Sequence, residues 1–140
     1  MNDVYALSIR QPWAELILSG KKTMELRTWA TDYRGLLWLH TGLKSNPELE
    51  CAFGFENLYK GGYLGSIIIS GVIPLDGNDW EFYRSKHLDT GHYQSGYYGW
   101  FLESPHRFCA PIPGPGKLGL YTPAQSLTTL LKEANSAART

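Results

Sequence analysis

Cysteine is scarce in this chain, and an excess of either charge is absent. Only two cysteines occur among the 140 residues, Cys51 and Cys109, with no Cys-x-x-Cys pair. That pattern offers neither a disulfide framework nor a zinc knuckle and suits a reduced, cytoplasmic setting. Without an adjacent base, both cysteines read as small buried residues. No apolar run approaches the roughly 18 residues of a membrane-spanning helix. The start, Met1-Asn2-Asp3-Val4-Tyr5, has no basic stretch leading into an apolar one, so no secretory signal is read there. No phosphate-binding Gly-rich loop or dinucleotide fingerprint occurs, and no cofactor is expected.

Basic and acidic residues balance at 13 each, which excludes a protein that coats nucleic acid through bulk positive charge. Their distribution is uneven. Residues 1–45 carry six basic and four acidic side chains, residues 46–105 three and eight, and residues 106–140 four and one. If the two ends of the chain meet in the fold, one face becomes locally basic. What is plentiful is aromatics (five Trp, nine Tyr, five Phe) and turn formers (15 Gly, eight Pro). With short apolar runs, that mixture predicts short strands joined by tight turns, plus a few helices, in one domain over 1–140.

Residues 5–9 alternate as a short strand. Pro12 opens a helix over 12–19, with Trp13, Leu16 and Ile17 on its apolar face and Gly20 stopping it. A strand over 23–29 sets Met24 and Leu26 on one face and Thr23, Glu25 and Arg27 on the other. Further strands are expected at 36–40, 63–75 (bent near Gly71), 97–102, 107–110 and 117–121. Helices are expected at 48–58, at 80–84 within a polar surface insertion spanning 76–96, and at 122–134, followed by a frayed tail over 135–140. Strands with inserted rather than alternating helices indicate an α+β fold, a small mixed or antiparallel barrel with peripheral helices.

The polar face of the second strand, with Lys22 at its entry, lines up a cation, an acid and a hydroxyl. Such a row serves either as an ordinary solvated strand face or as one wall of a polar cleft. Trp13 and Trp100 fit core positions, and Tyr98 shares the strand face of Trp100. His87 and His92 with Asp89 lack a third matched ligand, so no metal site is expected. His40 reads as a core-edge residue and His106 as a turn residue.

Several stretches together resemble the ASCH domain family. They are Ala6-Leu7-Ser8-Ile9-Arg10-Gln11-Pro12-Trp13-Ala14, Gly20-Lys21-Lys22-Thr23-Met24-Glu25-Leu26-Arg27 and Tyr33-Arg34-Gly35. The later pieces Tyr98-Gly99-Trp100-Phe101-Leu102-Glu103 and Gly116-Lys117-Leu118-Gly119-Leu120-Tyr121 agree. The resemblance implies a PUA-like β-barrel whose cleft recognises single-stranded RNA or a modified nucleoside. It also implies that Lys22, Glu25 and Arg27 line that cleft beside Gln11-Pro12-Trp13, with Thr23, Arg34 and Tyr98 as further binding candidates. Phosphate would meet the cations, Glu25 would accept from a base N–H, and an aromatic wall would stack.

Some relatives resemble amidohydrolases of N4-acylated cytidines that use Lys, Thr and Glu, and others are ribonucleases. A hydrolase here would use Lys22 and Glu25. The family's catalytic Thr falls at Glu25, and Thr23 does not match that position. A carboxylate beside a lysine holds it charged and weakens it as a base.

Overall fold

The computed structural model of the protein describes residues 3–137. Five strands form one mixed sheet in the order β1 (Tyr5–Ser8), β3 (Gly35–Thr41), β4 (Gly62–Pro74), β5 (Tyr98–Pro113) and β2 (Met24–Arg27). β1 runs parallel to β3, and every other neighbour is antiparallel. β4 and β5 form a long ribbon whose register shifts at three places, one of them between Ile69 and Gly71, where the sequence predicts a bend. Such shifts add twist and curl the sheet into a half-barrel.

β3 is the spine because both of its faces are covered. Leu37 and Leu39 join Leu7, Ile9, Ala14, Ile17, Ile67, Ile69 and Trp100 in one core. Trp38, on the opposite face, joins Ala6, Tyr63, Phe108, Tyr121 and Leu131 in a second. A strand buried on two sides needs a continuous apolar run, which is what Leu36-Leu37-Trp38-Leu39 supplies. The first core is closed by α1 (Trp13–Leu18) and the second by α5 (Gln125–Ala137). Gly20 sits at φ +83 just past α1 and donates its N–H to the Ile17 carbonyl at 3.0 Å, the left-handed stop expected there.

Between β4 and β5 lie α3 (Gly77–Phe82) and α4 (Arg84–His87). A reciprocal capping box of Asp76 and Asp79 starts α3. The 76–96 segment is polar outside yet firmly anchored. Trp80 is buried against Met24 and Leu75, and His87 lies fully buried with its ring 4.6 Å from that of Trp80.

Several expectations are corrected. α2 (Pro47–Ala52) stops six residues short of the predicted end, with Gly54 in the left-handed region at φ +84 just past its C-cap Phe53. The two strands expected at 97–102 and 107–110 are one, because β5 absorbs Ser104 at φ +53 and continues. His106 is therefore a strand residue opposite Ser66, not a turn residue. Residues 117–121 form no strand; only Tyr121 bridges to Ala6. The C-terminal helix begins at Gln125 and includes Asn135, which accepts from Ser66 Oγ at 2.8 Å; the rest of the expected tail, 138–140, lies outside the described residues. Both cysteines are exposed rather than buried. Among the described residues no helix is long and apolar enough to cross a membrane.

Leu131 alone of α5 is fully buried, wedged into the Trp38 and Tyr63 cluster. Leu131→Ala should cost about 2–5 kcal/mol in urea unfolding. Under about 1 kcal/mol would mean α5 does not hold that face of the sheet.

Candidate functional site

An open cleft of about 1080 Å³ lies at one end of the half-barrel. Its walls come from the ends of β1 and β3 (Ser8, His40), from α1 (Trp13), from β2 (Glu25, Arg27) and from the 114–118 loop. Among the described residues, four cations line it, Arg10, Arg27, Lys44 and Lys117, against the single carboxylate of Glu25. Three of these cations come from the basic first segment and one from the basic last. The Ala6–Tyr121 bridge brings those two ends together, so the local basic face is real.

The polar face of β2 is no solvated surface. Glu25 is only 7% exposed, and a carboxylate at that depth requires partners. Arg27 Nη2 supplies one at 3.0 Å and Lys22 Nζ approaches the other oxygen at 3.7 Å. Arg27 Nη2 also donates to the Ser8 carbonyl at 2.8 Å, which ties β2 to β1, while its Nε is buried without a partner among the described residues.

Lys22 does not line the cleft, contrary to expectation. It is 3% exposed, donates to the His87 carbonyl at 2.6 Å, and lies 4.8 Å from the Trp13 ring centroid. Burial pushes its pKa below the ordinary lysine value, opposed first by Glu25 and then by Asp89. It therefore acts from behind, fixing Glu25 and one face of the indole. Trp13 is half-buried, stands edge-on to Phe53 at 5.5 Å and lines the cleft, although helical spacing placed it equally well in the core. Trp100, the other such aromatic, is fully buried as expected.

The remaining candidates stand elsewhere. Gln11 is buried and structural, accepting from the Glu15 N–H at 2.9 Å and donating to the Tyr59 carbonyl at 3.1 Å. The Thr23 N–H donates to the Lys86 carbonyl, and its own carbonyl accepts from the Leu102 N–H. Arg34 is exposed and folds back onto the carbonyls of Thr31 and Tyr33 in its own loop. Tyr98 packs against the first core, and its neighbour Tyr97 lines the cleft instead. His87 spends both ring nitrogens, Nε2 on the Trp80 carbonyl and Nδ1 on the Asp89 N–H. No cluster of metal-ligating side chains occurs among the described residues.

Sequence reasoning missed Ser8 and His40 as cleft residues. Ser8 pairs with His40 in the parallel β1–β3 register, and Ser8 Oγ lies 2.9 Å from His40 Nδ1. His40 Nε2 lies 3.0 Å from the Gly114 carbonyl. A carbonyl only accepts, so Nε2 carries the proton and Nδ1 accepts from the serine. The 114–118 loop crosses this pair closely. A Cβ at Gly116 would come within 2.4 Å of the His40 ring and 2.5 Å of Ser8 Oγ, so only glycine fits. No sequence spacing announces a pair made by parallel strands 32 residues apart.

Burial pushes His40 below its ordinary value of 6.5, opposed by the Gly114 carbonyl; burial lowers His87 likewise, opposed by the Trp80 carbonyl. The folded rings thus bind protons less readily than the unfolded ones. Stability from the neutral rings is complete above the unfolded value and is lost as pH falls through 6.5 toward the folded values. Resistance to urea should accordingly begin to fall as pH drops below about 6.5, before the ordinary carboxylates titrate. His87→Gln should flatten that slope, and an unchanged slope would remove His87 as its source.

The two activating signal cointegrator 1 proteins of Mus musculus and Homo sapiens are each 44% identical over 45 residues. That segment is 31% of this chain but 8% of those proteins, so the chain matches a small part of them. The ASCH protein of Zymomonas mobilis superposes with a TM-score of 0.68 at 15% identity, covering 94% of each chain. Its serine-to-alanine variant gives 0.67 at the same identity, covering 94% of this chain and 95% of the other. This likeness shows the α+β half-barrel fold. The family model for the ASCH domain matches residues 7–111, most of the sheet and the whole β2 wall of the cleft, and the chain belongs to the ASCH domain family.

Proposed function

We propose that this ASCH domain binds single-stranded RNA, or one modified nucleoside within it, in the cleft between β1, β2, α1 and the 114–118 loop. The observation that carries the reading is the fixed Glu25 carboxylate inside a ring of four cations. Phosphates suit exposed cations on the rim, and Arg10, Lys44 and Lys117 are exposed there. A carboxylate accepts from an exocyclic amino group or ring N–H, so Glu25 addresses a base rather than a phosphate. Trp13 offers an aromatic edge beside it, and Leu43 and Leu118, 82% and 98% exposed, offer apolar contact at the mouth. The PUA-like fold of the family, associated with RNA, supports the same reading.

Within it, Glu25 and Arg27 touch the ligand, and Lys22 acts through Glu25. Gln11, Thr23 and Tyr98 support the walls rather than meet the ligand, and Arg34 stays in its own loop. A hydrolase built on Lys22 and Glu25 is the less favoured use of the cleft. Lys22 Nζ is already engaged with the His87 carbonyl and withdrawn from the cavity.

Lys44→Ala and Lys117→Ala lie away from the core and test the rim without disturbing the fold. Each should lower RNA affinity and reduce the slope of log affinity against log salt by about one unit. Glu25→Gln should change which base is preferred by about 1–3 kcal/mol in a nucleoside-panel titration. Lysine variants with wild-type affinity, together with an unaltered base preference in Glu25→Gln, would refute the assignment of this cleft to RNA.

A further inference from the structure

We infer that Ser8 and His40 form a nucleophile–base pair that opens carboxylic esters through an acyl-Ser8 intermediate. The pair lies in the wall of the cleft, on strands that the parallel β1–β3 register locks side by side. Its geometry meets the requirement for an activated serine. Ser8 Oγ and His40 Nδ1 are 2.9 Å apart, and a third group, the Gly114 carbonyl, orients the ring from its far side at 3.0 Å. That third group also selects the tautomer, since it obliges Nε2 to hold the proton and leaves Nδ1 basic toward the hydroxyl. When Nδ1 becomes protonated, the same carbonyl stabilises the resulting imidazolium.

Two more features suit the chemistry. The Arg27 guanidinium is held beside Ser8 by its bond to the Ser8 carbonyl. A positive group fixed at that point of the wall favours a developing oxyanion. Gly116 lets the 114–118 loop pack directly against the pair and hold it in place, because any side chain there would collide with both His40 and Ser8. A second weak acceptor for Ser8 Oγ, the Lys117 carbonyl at 3.4 Å, is longer than the contact to His40 and does not displace it.

The step balances as ordinary ester hydrolysis. Ser8 Oγ bonds to the ester carbonyl carbon as its proton passes to His40 Nδ1. The tetrahedral adduct collapses, the bond from carbon to the alcohol oxygen breaks, and the departing oxygen takes the proton from Nδ1. Water then attacks the acyl-Ser8 carbonyl and gives its proton to Nδ1. That proton returns to Ser8 Oγ as the carboxylic acid leaves. The four cations around the cleft favour an ester bearing a negative charge elsewhere.

The test is acylation by p-nitrophenyl acetate, read by release of p-nitrophenol and by peptide mapping. One acetyl group is expected on Ser8, absent in Ser8→Ala, which leaves the His40–Gly114 bond intact. His40→Gln should slow Ser8 acetylation about 100-fold or more, as loss of a general base does. Should that buried substitution unfold the protein, the wild-type pH profile decides. Ser8 acetylation should fall away as His40 is protonated, in acid below its ordinary value. Acetylation confined to lysines, a flat pH profile, or equal rates in a folded His40→Gln would each reduce the pair to a strut that pins the 114–118 loop. The outcome is separate from RNA binding: a protein that binds no RNA but acylates Ser8 upholds this inference, and the reverse result overturns it.

Discussion

The Glu25 carboxylate, held in a largely water-free position, is the constraint around which this molecule is arranged. A buried charge of this kind persists only when its partners are fixed, and removing one partner from such a group typically costs about 3–5 kcal/mol. Here each partner belongs to a different part of the fold. Arg27 reaches both Glu25 and the backbone of β1 at Ser8. Lys22 reaches Glu25, the carbonyl of His87 at the end of α4, and the face of Trp13 on α1. One ion cluster therefore couples the edge strand β2, the far edge strand β1, the first helix and the inserted helices. These two strands are the opposite edges of the sheet, so the cluster helps draw the half-barrel closed.

That arrangement leaves the cleft chemically divided. Its floor holds a shielded acceptor, its rim holds exposed cations, and its β1–β3 wall holds a histidine facing a serine. Rim lysines are screened by salt and contribute to affinity and encounter more than to selectivity. A desolvated acceptor works the other way, because it rewards only a group that donates a hydrogen bond to it.

The 114–118 loop completes the site and explains the glycines around it. Tyr63, buried in the second core, donates to the Pro115 carbonyl at 3.0 Å, while His40 holds the Gly114 carbonyl. Packing on one face of the sheet thus fixes a loop that lines the cleft at its end. Burial raises the Tyr63 phenol pKa, which keeps it a donor at any physiological pH.

Local physical rules acting on short stretches were enough to give α1 with its Gly20 stop, the two faces of β2, the apolar run of β3 and the bend at Gly71, whereas spacing left Glu25 and Arg27 open between a solvated face and a cleft wall, and only the family resemblance pointed to the cleft. Each feature given by those rules follows from a period, a cap or a left-handed residue, all of which involve neighbours in sequence. Tertiary structure alone decided the rest. Lys22 withdrew from the cleft because His87, 65 residues away, supplies a buried acceptor. β5 ran on through Ser104 because the long partner β4 continues the ladder past it. Ser8 met His40 only because β1 pairs in parallel with a strand that does not follow it directly. Such contacts depend on which strands become neighbours, and that choice is made by burying β3 on both faces rather than by any residue's own spacing.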